Sequence, residues 1–511
     1  MIVNTIILHY AFVLIRIGSN IELLAEKSMG DISIFNVSIY YKRKKSRECF
    51  NKCFYALFLF LTFSICVKAQ TQTRTANIYY NHACNTISIP VEVVDSVCVK
   101  AQAQTRVINI YNNHTSNAIS IPIEVVDSIC VRNVDTSAPE SEKYNGLPIV
   151  NLYADEPITK ENKTYGSVKQ IMKYDTGIVT EEFNYLTIKG RGNSTWVASD
   201  KKPYKVKFSK DFSMIGLPQE RSWIFFSNPL DSSMLRNEIG FALSRMSNLA
   251  WTPNSGYADV YLNDDYRGTY QISDKVEISK TKVKVGEDGF LIEVVPWNRL
   301  NNEEVYFDTP NLIFSIEDFE EDTDSENYKF IKDYVTLCEE AIYSKADVAS
   351  NGMRYDELID VDSYVDWYLI NEIMKNVDGI MFSSCKMHKA RAGKLCMGPV
   401  WDFDLSLGNC LSWHKEDLKH SENLYIADAP WFKHLLKKSE FYYKVKQRYE
   451  FFYLNKENLL NIIENKAALI KASAECDALR WGKSDYDQQV KKVVTFLSDR
   501  MDWLHHYFQA K

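Results

Sequence analysis

Residues 185–208 read YLTIKGRGNSTWVASDKKPYKVKF, and the fold prediction starts from this stretch. Its first five residues alternate as in a β-strand and lead into GRGNSTW (190–196), a loop with two glycines, an asparagine and two hydroxyl residues. The next run, PYKVKF (203–208), also alternates, so its apolar side chains face one side of a strand and Lys205 and Lys207 face the other. Backbone N–H groups of a glycine-containing loop can approach a phosphate. The stretch therefore predicts a strand–loop–strand unit that binds the phosphates of a nucleotide.

The candidate nucleotide ligands of this unit lie in the loop and on the strand that follows it: Arg191, Gly192, Asn193, Ser194, Lys205 and Lys207. The loop alone is weak evidence, because most glycine-containing loops are ordinary turns. The alternative for the strand is a solvated sheet edge whose lysines face water.

A helix is predicted over residues 231–247, which read DSSMLRNEIGFALSRMS. Asp231 or Ser232 can cap its N-terminus, and apolar residues recur through the segment at helical spacing. Glu238 lies in the middle of this helix. In kinase-like folds a helix glutamate pairs with the strand lysine, so Glu238 is a candidate for that ion pair. A solvent-facing carboxylate is the plainer alternative.

Two further strand regions are predicted downstream. Residues 257–278 are typical of a β-hairpin with its turn at 263–265, and residues 289–295 form another strand. The acidic segment 317–326 (EDFEEDTDSE) is interpreted as a solvated loop. A calcium site is the alternative, although the spacing matches no established calcium-ligand pattern.

Three carboxylates follow a strongly amphipathic helix predicted over residues 361–376. Asp378 comes directly after this helix, and Asp402 and Asp404 follow 24 and 26 residues later in the sequence WDFD. Metal-assisted phosphoryl transfer needs one carboxylate to orient the attacking hydroxyl and another to hold Mg²⁺ against the phosphates. The alternative is that Asp402 and Asp404 only cap the next segment. Burying carboxylates beside Trp and Phe without a cation or a base is costly, which favours the metal site.

The composition is that of a globular protein. The chain has 511 residues, of which 46% are hydrophobic and 25% are charged. At roughly 100–200 residues per domain, this length allows about two to four domains. The net charge of −7 argues against a nucleic-acid-binding protein that relies on bulk attraction to phosphates. The eleven cysteines include no CxxC pair, which argues against a zinc–thiolate site.

The N-terminal region contains a predicted export signal at about residues 42–69. A basic stretch (42–52, KRKKSRECFNK) precedes fifteen apolar residues (53–67) and the small-residue site Val67-Lys68-Ala69. This order is typical of a secretory signal peptide, and the apolar run is shorter than the ~20 residues of a membrane helix. An uncleaved N-terminal anchor is the alternative. Both interpretations place the rest of the chain at the cell surface or outside the cell, and the first leaves no transmembrane helix in the mature protein.

A tandem repeat with a period of 32 follows the signal. Residues 69–100 and 101–132 are nearly identical, and each copy is predicted to form a small β-hairpin. The predicted organisation is an extension with a signal peptide (1–69), the repeats (70–132), a polar linker (133–146) and a main domain (147–511). The end of that domain, from residue 430, is predicted to consist of packing helices.

Five segments in the main domain resemble the CotH kinase family of atypical, protein-kinase-like phosphotransferases: GRGNSTW, KKPYKVKF, SNPLDSSMLRNEIGFALSR, DVYLNDDYRGTYQISDKVEI and GPVWDFDLSLGN. They occur in the order found in that family, and the resemblance runs from about residue 147 to 511. It implies an α+β, divergent protein-kinase-like fold with a β-rich N-terminal lobe and a helical C-terminal lobe. It also implies transfer of the γ-phosphate of ATP, with Mg²⁺, to Ser or Thr of partner proteins.

The resemblance assigns roles to individual residues. Lys207 would contact the ATP phosphates, with Lys205 as the second choice, and Asp378 matches the catalytic-loop aspartate. Asp402 matches the metal-binding aspartate, and Asp404 assists it. Where kinase-like loops carry a metal-binding asparagine five residues after the catalytic aspartate, this chain has Ser383, a weaker Mg²⁺ ligand.

Three functions are consistent with these residues. The first is an exported protein kinase that uses ATP and Mg²⁺. The second is a surface binding or structural protein that keeps the fold without the activity, since fold does not fix function. The third is another nucleotide-dependent transfer on the same fold.

Overall fold

A computed structural model describes residues 146–174, 177–300, 304–482 and 485–511, together with nine earlier strands. These strands are Phe12–Arg16 (β1), Ile21–Lys27 (β2), Phe35–Tyr41 (β3), Thr75–Tyr80 (β4), Thr86–Pro90 (β5), Val94–Gln102 (β6), Thr105–Asn112 (β7), Ala118–Pro122 (β8) and Val126–Cys130 (β9). The predicted signal peptide (42–69) and residues 133–145 of the predicted linker lie outside the described residues.

The tandem repeats form two three-stranded sheets. In the first copy β4 pairs with β5, and in the second copy β7 pairs with β8, so each copy contains an antiparallel hairpin. The third strand of each copy pairs with the other copy. Strand β9 of the second copy pairs with β4 of the first, and β6, most of which belongs to the first copy, pairs with β7 of the second. Strands β1, β2 and β3 form a separate antiparallel sheet.

The chain divides into two units, and the larger comprises residues 144–478 and 483–511. This unit begins with a closed seven-stranded barrel in the order β10-β11-β12-β13-β14-β16-β15. Its strands are Ile149–Ala154 (β10), Thr164–Tyr174 (β11), Gly177–Gly190 (β12), Tyr204–Phe212 (β13), Glu220–Phe226 (β14), Ser255–Leu262 (β15) and Asp265–Asp274 (β16). The parallel pairing of β10 with β15 closes the barrel. The alternation in β13 predicted that its apolar side chains face one side, and Tyr204, Val206 and Phe208 are indeed buried together in the barrel core.

A second, five-stranded antiparallel sheet follows in the order β18-β19-β17-β20-β21. Its strands are Phe290–Val294 (β17), Tyr306–Asp308 (β18), Ile313–Ile316 (β19), Cys385–Lys389 (β20) and Cys396–Met397 (β21). The predicted strand at 289–295 is the central member of this sheet, which places its one charged residue, Glu293, next to β20.

Nine α-helices lie in the described residues, and all of them belong to the larger unit except for residues 479–481 at the end of the eighth. They are Ser194–Ala198 (α1), Arg236–Met246 (α2), Glu326–Tyr343 (α3), Tyr355–Leu358 (α4), Val361–Met374 (α5), Phe432–Leu435 (α6), Ser439–Leu454 (α7), Lys456–Trp481 (α8) and Tyr486–Ala510 (α9). Short 3₁₀ turns occur at Trp297–Arg299, Glu416–Lys419 and Ile426–Asp428. No helix among the described residues is both long and apolar enough to span a membrane.

Two helix predictions need different boundaries. The helix predicted over 231–247 begins only at Arg236, because the Asp231 carboxylate accepts hydrogen bonds from the N–H groups of Ser233 and Arg236 and folds the preceding residues into a turn. The helix predicted over 361–376 ends at Met374, where Lys375 adopts a left-handed conformation (φ 45°) that stops it and turns the chain toward Asp378.

The C-terminal helices hold the end of α5 in place. Arg500 of α9 and Glu372 of α5 are fully buried and form an ion pair at 2.6 Å. The same Glu372 carboxylate accepts the N–H groups of Tyr425 (2.7 Å) and Ala427 (3.1 Å). A buried ion pair with its remaining oxygens satisfied is costly to break, so α9 fixes the position from which the chain enters the Asp378 loop.

Helix α2 packs closely on the segment that contains Asp402. A Cβ atom at Gly240 would lie 2.2 Å from the Phe403 ring, so no side chain fits there. We expect Gly240→Ala to lower the free energy of unfolding by about 1–3 kcal/mol, the usual cost of overpacking. Urea denaturation would measure it, with Gly393→Ala as the control, since that Cβ would approach neighbours only to 3.4 Å. Equal unfolding midpoints for both variants would contradict the close packing.

Candidate active site

One cleft of about 370 Å³ is lined by residues of both the barrel and the five-stranded sheet. It brings together nine of the residues predicted from the sequence: Arg191, Gly192, Asn193, Ser194, Lys205, Asp378, Ser383, Asp402 and Asp404. The two other predicted site residues, Lys207 and Glu238, do not line it.

The two lysines of β13 have different surroundings. Lys205 is half-buried and lines the cleft, whereas Lys207 is exposed and lies two residues, about 7 Å, further along the strand. Burial and the neighbouring charge of Lys275 lower the pKa of Lys205. The position of the cleft therefore favours Lys205 over Lys207, the first choice from the sequence, as the candidate phosphate ligand. Both lysines lie on the same face of β13, but only Lys205 lies at the position along the strand where the cleft is.

Glu238 is bound elsewhere. It is buried, and its carboxylate accepts hydrogen bonds from Arg245 (2.6 Å) and from the Ser255 hydroxyl (2.8 Å). The predicted ion pair with a lysine of β13 does not form, because this face of α2 points toward β15 and away from the cleft.

A lysine–glutamate cluster that the sequence analysis missed does line the cleft. The Lys386 ammonium of β20 is bound by the carboxylates of Glu293 in β17 and Glu317 after β19, the latter at 2.7 Å. Burial opposes the charge of Lys386, but the two carboxylates raise its pKa. Burial also opposes the charge of Glu317, yet the Lys386 ammonium lowers the pKa of Glu317 to about 2. The sequence signal that could have revealed this cluster is Glu293, the one charged residue of the otherwise apolar strand FLIEV.

Arg191 extends over an aromatic floor. Its guanidinium lies 5.2 Å from the Phe226 ring centroid and 5.9 Å from that of Trp401. Burial lowers its pKa, and the nearby carboxylates of Asp402 and Asp404 oppose that effect. Arginine stays charged in proteins, so this half-buried side chain brings a positive charge to the cleft.

Asp402 is held in an unusual backbone conformation. Its φ of 66° is left-handed, as is the φ of 58° at Ser384. The Ser384 hydroxyl donates to Asp402 Oδ2 at 3.0 Å, and the Ser384 N–H donates to Glu293 Oε1 at 3.1 Å. Non-glycine residues in this region cost energy and cluster at functional sites. The two strained residues together orient the Asp402 carboxylate.

The three predicted carboxylates influence one another electrostatically. Burial and the negative charge of Asp402 raise the pKa of Asp378 to about 6, against the opposing charge of Arg299. Burial, followed by the charges of Asp402 and Asp378, raises the pKa of Asp404 well above its usual value. A cation in the cleft would relieve this mutual repulsion.

The carboxylates suit a magnesium ion that is also held by phosphates. Within the described ranges, no three His, Cys, Asp or Glu side chains stand close enough to form a metal cage by themselves. Mg²⁺ usually takes only one or two carboxylates and completes its coordination with substrate phosphates and water. Asp402 and Asp404 fit that pattern.

Ser383 is already engaged by its neighbours. Arg299 Nη1 donates to its hydroxyl oxygen at 2.5 Å, and the hydroxyl in turn hydrogen-bonds the Asp378 side chain. The Ser383 hydroxyl therefore uses its one donor on Asp378 and one of its two acceptor lone pairs on Arg299. Its predicted role as a metal ligand stays a prediction without support from this geometry.

Comparisons with known proteins identify the family. None of the curated proteins matches the chain. The family described as CotH kinase protein matches residues 188–504, well over half of the 511 residues and all of the cleft carboxylates. The chain therefore belongs to the CotH kinase protein family.

Proposed function

We propose that this protein is an exported protein kinase that transfers the γ-phosphate of ATP, with Mg²⁺, to Ser or Thr of surface or secreted proteins. The observation that carries this proposal is the convergence of Lys205 and Arg191 with Asp378, Asp402 and Asp404 in one cleft. Positive groups for phosphates, acidic groups for a metal and a carboxylate for a hydroxyl proton are what phosphoryl transfer requires.

Each side chain has a defined task in this proposal. Lys205 and Arg191 bind the phosphates, and Asp378 accepts the proton of the acceptor hydroxyl. The acceptor oxygen forms a bond to the γ-phosphorus while the bond to the β–γ bridging oxygen breaks, and ADP leaves with that electron pair. Asp402 and Asp404 hold Mg²⁺, which neutralises charge on the phosphates.

The architecture is compatible with a two-lobed kinase arrangement. Lys205 comes from the barrel, and Asp378 follows a helix of the C-terminal half. In protein kinases the phosphate-binding lysine and the catalytic aspartate are likewise separated. We extend the proposal to the lobes: the barrel is the nucleotide-covering lobe, and the helical half is the acceptor-binding lobe. The basic and apolar sequence at residues 42–67 supports the export part of the proposal.

The test compares the two lysines of β13 by phosphate transfer from labelled ATP to the protein itself and to candidate acceptor proteins. Lys205→Met is expected to lower kcat/KM by about 10- to 100-fold, because charged hydrogen bonds contribute about 1.5–3 kcal/mol. The matched variant Lys207→Met removes an exposed charge from the same strand and is expected to behave like the wild type.

Three outcomes distinguish the candidate functions. Mg-ATP binding with phosphate appearing on Ser or Thr supports the kinase. Nucleotide binding with a product other than a phosphoprotein supports another transfer reaction. A wild-type protein that does not respond to Mg-ATP supports a binding or structural role and contradicts the proposal.

A further inference from the structure

Asn237 is a polar residue of the cleft with no role in the argument so far. It lies in the first turn of α2, is only 2% exposed, and lines the cleft with Asp402 and Asp404. Its side-chain oxygen Oδ1 accepts the backbone N–H of Phe403 at 2.8 Å. Phe403 stands between the two aspartates in the sequence, so this hydrogen bond joins α2 to the acidic segment.

The hydrogen bond from Phe403 determines the orientation of the amide. A backbone N–H can only donate, so the atom facing it must be the carbonyl oxygen and the other terminal atom must be the NH₂ nitrogen. Within the described part of the chain, no acceptor is bonded to this NH₂ group. A donor at this position cannot ligate a metal cation, but it can bind an oxygen anion.

The packing around Asn237 holds it rigidly. On one side, Arg236 is anchored by an ion pair with Asp231 and donates to the Ser406 carbonyl at 2.8 Å. On the other side, Gly240 allows α2 to rest directly on the Phe403 ring. The amide therefore keeps one position relative to the acidic segment, and such preorganised donors are the ones that stabilise developing charge.

We propose that Asn237 Nδ2 donates a hydrogen bond to the terminal phosphoryl group of the nucleotide while that group is transferred. This inference rests on the proposed function and adds a catalytic residue to it. The terminal phosphoryl is the part of the nucleotide that must lie between the metal carboxylates and Asp378, and Asn237 is joined to the peptide group between those carboxylates. Charge on the three equatorial phosphoryl oxygens needs donors of this kind in the transition state.

The test uses the full-length protein and Asn237→Asp, which keeps an oxygen for the Phe403 N–H and replaces the donor by an acceptor. We expect kcat to fall by about 100-fold or more, as when one oxyanion donor is removed. The affinity for Mg-ATP should fall while the affinity for Mg-ADP, which lacks the terminal phosphoryl, stays the same. Asn461→Asp, an exposed change on α8, is the control and should match the wild type.

The Asn237→Asp variant also adds a negative charge beside Asp402 and Asp404. A second, neutral variant separates the effect of that charge from the loss of the hydrogen-bond donor. Asn237→Ser is neutral, and its shorter side chain cannot reach both Phe403 and a phosphate, so it should show the same fall in kcat. Wild-type kcat in either folded variant, or an equal loss of Mg-ATP and Mg-ADP affinity, would overturn the inference and leave the kinase proposal standing. A wild-type protein that neither binds nor uses Mg-ATP would instead overturn the proposed function.

Discussion

Asp402→Asn is expected to abolish magnesium-dependent ATP binding and to lower kcat by a factor on the order of 10³. The reason is electrostatic, because the variant removes a charge from the carboxylate that the strained Ser384 and Asp402 backbone positions hold in the cleft. The asparagine oxygen can still accept the Ser384 hydroxyl, so the local geometry should persist. Calorimetric titration with ATP, at increasing Mg²⁺ concentrations, measures the effect directly.

The control for this experiment is Asp308→Asn, which removes a mostly exposed carboxylate paired with Lys332 outside the cleft. It should leave the Mg²⁺ dependence unchanged, because exposed ion pairs contribute little. If Asp402→Asn bound Mg-ATP with wild-type affinity, Asp402 would not hold the metal. The metal-dependent mechanism would then fail at its central residue.

Asp378→Asn is expected to lower kcat by about 10²–10⁴-fold while Mg-ATP still binds. An amide has no basic site for the acceptor proton, but it preserves the shape and the neighbouring hydrogen bond with Ser383. Rapid-mixing and steady-state kinetics, together with nucleotide titration, separate the two effects. A variant with unchanged kcat would exclude Asp378 as the general base.

The pH dependence of phosphate transfer by the wild-type protein tests the same residue. Burial and the charge of Asp402 raise the pKa of Asp378 to about 6, so its carboxylate is protonated below that pH and cannot accept the acceptor proton. We expect kcat/KM to rise between pH 5 and about pH 7 and then to level off, with about a tenfold fall per pH unit on the acid side. A flat profile from pH 5 upward would contradict the assignment.

Several features of the fold and the site were predictable because they depend on local patterns. Alternation in residues 203–208 predicted a strand with its apolar face inward, and the barrel buries that face. The helix before Asp378 and the strand at 290–294 were also predicted close to their observed bounds, but the predicted amphipathic character of the helix was wrong, because its residues 363–374 are all buried. The spacing of Asp378 from Asp402 and Asp404 indicated that these three carboxylates belong to one site, and all three line the same cleft.

Other features depend on contacts between distant parts of the chain. Lys386 meets Glu293 and Glu317 across 93 and 69 residues, a separation at which no sequence periodicity operates. The helical pattern of 231–247 could not distinguish which of its faces meets the cleft, so Glu238 was selected although its neighbour Asn237 lines the site. The exchange of strands between the two repeats was likewise not predictable from hairpin signals.

The amino-acid sequence by itself determined most strand and helix types, the family and the three aspartates of the cleft, because these follow from short-range periodicity and local motifs. Tertiary structure alone decided that Lys205 and not Lys207 reaches the cleft, that Glu238 is bound to Arg245, and that Asn237 lies beside the acidic segment. The physical reason is that barrel closure and helix packing set which residues on a given face meet a neighbour. A pattern along one strand or helix shows which residues share a face, but it does not show which neighbouring element that face packs against.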